Sequence, residues 1–147
     1  MLRGEKPRVI WRILMYANRA RPRSMFTLWM VCQNRLPTKD RLTRFEITTD
    51  GKCVYCGQME TYNHMFFYSA KTKRIWRQIL NWMKIRHSPG EWTDEMIWFC
   101  QQTKGKSSRD RLLKLAATEM IYAVWSHRNK IVFQQGKIED LRSKDDH

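Results

Sequence analysis

The 147-residue chain lacks any apolar run long enough to cross a bilayer. Its best candidate, Val9 to Tyr16, is broken by Arg12 and followed by Arg19, Arg21 and Arg23, which is equally unlike a signal peptide. An intracellular protein, nuclear or cytoplasmic and not secreted, is therefore expected, with no membrane partner. Acidic side chains are the second scarcity. Asp and Glu number 14 against 28 Lys and Arg, a formal net charge of +14. Such an imbalance says nothing about fold, but it predicts attraction to polyanions, with nucleic acid the first candidate. Strand-like alternation is missing too, apart from room for a minimal hairpin between Thr48 and Tyr55 around Asp50-Gly51. There is no internal repeat.

Catalytic patterns are also absent. No Tyr/Phe-x-Asp-Asp polymerase signature occurs, and the one Asp-Asp pair, Asp145-Asp146, lies in a polar tail. Neither a nucleophile–base pair nor paired carboxylates stand at helical spacing near a histidine. A non-enzyme is expected. Cysteine is limited to Cys32, Cys53, Cys56 and Cys100. In a reducing compartment a CxxC pair means metal or redox chemistry rather than a structural disulfide. The redox version normally opens a helix in a βαβ unit, and that context is missing.

What is present is apolar mass with helical periodicity. Hydrophobic residues make up 42% of the chain, and seven are tryptophan. The pattern predicts a mainly α single domain of four to five helices. Ile10, Trp11, Ile13, Leu14 and Met15 crowd a short first helix that fades near Ala20. Met25, Phe26, Leu28, Trp29, Val31 and Cys32 form a second, and LPTKDRLTRF a short third with Thr38 as N-cap. The clearest stripe runs over 70–85, where Ile75, Trp76, Ile79, Leu80, Trp82 and Met83 share one face. A short helix around Thr93–Gln101 follows the breaker Ser88-Pro89-Gly90, and a long one spans 108–134, opened by Ser107 and Asp110 as a capping box. The domain is expected over 1–136, with residues 137–147 a frayed polar tail. Trp11, Trp29, Trp76, Trp82 and Trp125 fall on stripes and are expected in the core.

The charge is segregated. Residues 1–44 carry 11 basic and two acidic groups, and residues 71–89 carry six basic and no acidic groups. Two basic blocks thus flank a cysteine loop over 53–69. Arg19, Arg21 and Arg23 form one cluster. Lys71, Lys73, Arg74 and Arg77 share the polar side of the helix after the loop. Both are expected to track phosphates, with weak sequence preference.

The loop itself, CVYCGQMETYNHMFFYSA, spaces Cys53, Cys56 and His64 as metal ligands. Zinc favours tetrahedral nitrogen and sulfur donors, and two thiolates on a tight CxxC turn can share one ion. Of Phe66, Phe67 and Tyr68, at least one is expected to cover the metal loop and one ring is available for base stacking.

The ordered series VIWRIL, RPRSMFTLWMV, LPTKDRL, CVYCGQMET, HMFF and IWRQILNW, with the trailing YAVWSHRNKIVF, resembles the zinc-binding domain that follows the polymerase domain in plant LINE-type (non-LTR) retrotransposon reverse transcriptases. The likeness covers most of residues 8–133. It implies a zinc cofactor and a non-catalytic accessory module that helps the polymerase portion hold RNA or DNA. It also implies a Cys, Cys, His, Cys ligand set, which falls on Cys53, Cys56, His64 and, in fourth place, Ser69. A serine hydroxyl is a poor substitute for a thiolate. Cys100, Cys32 and His87 are the alternative fourth donors, and a decayed remnant without metal or nucleic-acid binding is the competing expectation. A chain of this length without the rest of such an element reads as a fragment.

Overall fold

A computed structural model describes residues 12–47, 49–88 and 90–145, without the side chains of Tyr68 and residues 137–145. Ile10 and Trp11 lie outside the described residues. The fold is helical, as the periodicity predicts. Helix α1 is described over residues 12–15. It is followed by α2 (Pro22–Cys32), α3 (Lys39–Arg44), a π-helical turn (His64–Tyr68), α4 (Ala70–Trp82), α5 (Trp92–Thr103) and α6 (Ser108–Asp145). Among the described residues the β pairing is one isolated antiparallel bridge, Lys52 to Met59. The hairpin therefore turns through the CxxC segment, not around Asp50-Gly51.

Helix α6 is the spine. Helices α2, α4, α5 and the π turn all pack on it. Its buried members Leu113, Ala117, Met120, Ile121, Val124 and Trp125 recur every three to four residues, so they face one side. They meet Leu14, Leu28, Val31, Trp76, Leu80, Met96, Phe99 and Cys100 in one continuous core. Each fully buried side chain of this size contributes roughly 1.5–3 kcal/mol. The helix begins where expected, with Ser107 Oγ accepting from the Asp110 N–H at 3.1 Å. It then continues through Gly136 to Asp145, so the segment expected to fray is helical.

Three helices end alike. Asn34, Glu46 and Lys84 adopt left-handed backbone after α2, α3 and α4. In each case the next N–H reaches back five residues, Arg35 to Met30, Ile47 to Leu42 and Ile85 to Leu80. These Schellman closures satisfy carbonyls that a helix end leaves open. They also reverse the chain sharply, and α4 stops at Trp82 rather than 85. Trp82 is 68% exposed, so it is not the core residue its place on the stripe suggests. Trp76 and Trp125 are buried, and Trp29 is half-buried.

Candidate metal centre

The loop is built from its backbone outward. Cys53 donates its N–H to the Gln58 carbonyl at 2.6 Å, and Gly57 returns its own to Cys53 at 3.0 Å. Gly57 sits at φ +77°, a left-handed conformation that glycine adopts without a Cβ penalty. This tight turn places both thiols on one side. The Tyr55 and Cys56 N–H groups point at the Cys53 sulfur. Burial pushes the Cys53 thiol up, and those two N–H bonds pull it back toward the thiolate that a metal requires.

His64 opens the π turn, whose defining bond runs from the Ser69 N–H to the His64 carbonyl at 2.7 Å. Such turns insert one residue into a helix and recur at functional sites. Here the following residues Met65, Phe66 and Phe67 are fully buried, while His64 faces the cysteine loop. Its imidazole pKa is lowered, first by burial and further by the charge of Lys73, against an opposing pull from Glu60. A neutral ring is the metal-binding form.

The Cys53, Cys56 and His64 donor atoms all lie within 4.8 Å of one another, and Cys56 Sγ is 2.9 Å from His64 Nε2. Zinc–sulfur bonds of about 2.3 Å imply tetrahedron edges of about 3.8 Å, so the three donors converge on the scale of one ion. Two soft thiols and an imidazole select zinc over calcium or magnesium. The residues fit the ion.

Ser69 is fully buried, but its side chain has a different task. It N-caps α4, accepting from the Thr72 N–H at 3.4 Å, with the Thr72 hydroxyl at the same distance. The three alternative fourth donors are not among the converging groups. His87 Nε2 lies 3.0 and 2.9 Å from the two Glu95 oxygens. Cys32 is half-buried, and desolvation, with a smaller effect of Cys100, pushes its thiol up to about 12. Cys100 is fully buried in the apolar core.

The frame around the loop was not visible in the sequence. Glu60, with 0% side-chain exposure, is gripped by Arg128, with 6%. Arg128 Nη2 reaches Oε1 at 2.5 Å and Nε reaches Oε2 at 3.0 Å. Oε1 also accepts the Lys39 N–H at 2.9 Å. The Lys39 ammonium bonds Asp50 Oδ1 and the Lys52 carbonyl, each at 2.7 Å. One buried network thus ties α3, the loop and α6 together. Arg128 extends the α6 stripe by one more place, where a hydrophobe would be expected, and that break in pattern is its signal.

Of the cations expected to track phosphates, Arg21, Lys71 and Lys73 interact with other groups of the fold. Lys71 donates to His127 Nδ1 at 3.0 Å and lies over the Tyr55 ring. The Tyr55 hydroxyl shares that acceptor at 2.8 Å. Arg21 pairs with Glu119 at 2.8 Å and lies over Tyr122. Arg19, Arg23, Lys73, Arg74 and Arg77 are exposed. Phe66 and Phe67 pack on Trp92 at 5.4 and 5.5 Å and present no free ring. The Tyr68 side chain lies outside what is described.

No helix among the described residues is long and apolar enough to cross a membrane. No curated protein and no solved structure matches the chain. A family model described as zinc-binding in reverse transcriptase matches residues 1–76, just over half of the chain and all three converging ligands. With the ligands converging and the family matched, the chain belongs to the zinc-binding domains of reverse transcriptases.

Proposed function

We propose that this module is non-catalytic and binds nucleic acid through its phosphates, in the service of a retroelement polymerase of the plant LINE (non-LTR) type. The observation that carries the reading is the net charge of +14, together with cations left exposed on α4 and before α2. A bound zinc supplies a cross-link between the CxxC turn and the π turn. Cys53 and Cys56 would hold it as thiolates and His64 through a ring nitrogen, with the basic face of α4 directly adjoining.

Binding of this kind is electrostatic and tolerant of sequence. Titration of labelled single-stranded RNA and DNA, followed by anisotropy at several salt concentrations, tests it. Affinity falling steeply and linearly on logarithmic axes is expected. Weak binding that hardly changes with salt would contradict the proposal. Ser69 at the family's fourth ligand position favours a second reading, a folded remnant that binds neither metal nor nucleic acid. It predicts no zinc in the purified chain.

A further inference from the structure

The cations of α4 are not equivalent. At 3.6 residues per turn, Lys73, Arg77 and Asn81 line one flank, and Lys71 lies on the other. The closure through left-handed Lys84 folds the next segment back against the first flank. Between them lies a cavity of about 310 Å³ lined by Lys73, Arg77, Asn81, Arg86, His87 and Ser88, with Leu80 and Ile85 at its base. No carboxylate among the described residues lines it. The returning wall is held in place, because His87 contacts both oxygens of the buried Glu95 and its ring stacks on Trp98 at 3.7 Å and 9°. Glu95 Oε1 also accepts the Gly90 N–H at 2.6 Å.

We propose that this cavity is a phosphate-binding pocket that seats one backbone phosphate of the bound nucleic acid. It rests on the reading of the module as nucleic-acid-binding and assigns that reading a specific site. Arg77 and Arg86, on opposite walls, supply forked donors suited to phosphate oxygens, and Lys73 adds a point charge. Asn81 and Ser88 supply neutral donors. A diffuse basic face would spread its affinity evenly over exposed cations. A pocket concentrates it on a few, including Arg86, which lies outside the helix whose charge pattern points to binding.

The test compares the full chain with Arg77→Gln/Arg86→Gln and with Lys106→Gln/Arg111→Gln, which removes equal charge from exposed positions elsewhere. Each is titrated with fluorescein-labelled oligouridine across a salt series, after matching melting temperatures. The pocket variant should bind about tenfold more weakly, since charge-assisted bonds are lost. Its salt slope should fall by about 0.7 for each phosphate contact removed. The control should lose much less. Equal losses in both variants would overturn the pocket and leave nucleic-acid binding intact. No binding by the unaltered chain would overturn both.

Discussion

The two ends of this molecule are held by different forces. Around Leu113, Met120, Trp76 and Phe99 the helices meet chiefly through apolar side chains. Around Glu60, Arg128 and Lys39 the contacts are buried charges and hydrogen bonds, with the metal ligands beside them. The first kind of contact is non-directional and tolerates small changes in shape. The second is directional, and removing one partner leaves a desolvated charge behind. The part of the protein that holds zinc is therefore the part that depends on single residues.

The sharpest way to break that contrast is Arg128→Ala. It strands the Glu60 carboxylate and should cost about 3–5 kcal/mol in urea unfolding. A loss under about 1 kcal/mol would make the pair no better than a surface salt bridge. Leu113→Ala, at the apolar end, should cost about 2–5 kcal/mol by leaving a cavity. Its cost should be the same with and without a zinc chelator, whereas that of Arg128→Ala should change with metal. Ser69→Ala removes the α4 cap and should cost about 1 kcal/mol. If Ser69 caps rather than ligates, zinc content will not change, and zinc loss in this variant would restore it as a ligand.

The smallest effect is on acid stability. Asp50 lies below its ordinary value of 3.8, chiefly through the Lys39 ammonium. Glu119 lies below 4.5, chiefly through Arg21. Because the native values are the lower ones, their stabilisation is complete above the ordinary values and is lost as pH falls through the native ones. Asp50→Asn should flatten the acid limb of thermal melts at the loop end. Glu119→Gln should do so where α2 meets α6. An unchanged limb in both would place the acid sensitivity elsewhere.

The apolar end was legible in the sequence because helical burial repeats. The stripe of α4 and the start of α6 at Ser107 follow from spacing and capping alone. The three ligands were legible for another reason, since CxxC with a spaced histidine is itself a chemical statement. The frame was not legible. Lys39 opens a short helix and Arg128 sits late in a long one, where a basic residue passes for a solvated one. Their pairing with Asp50 and Glu60 depends on packing across the chain, to which periodicity is blind. Trp82 failed for a related reason. Its place on the stripe implies burial, but α4 ends there and no neighbour among the described residues covers it. Ser69 was legible as a poor ligand at the end of the series, but its capping of α4 was not, because one position can close a ligand series and precede a helix.

The central claim is that Cys53, Cys56 and His64 suffice to hold zinc while Ser69 caps α4. Metal content of the purified chain, measured beside Ser69→Cys and Cys53→Ser, tests it most directly. Stoichiometric zinc in both the unaltered chain and Ser69→Cys, with loss in Cys53→Ser, is the expected result. Zinc found only in Ser69→Cys would contradict it, because the three ligands would then be an inherited arrangement that no longer binds metal.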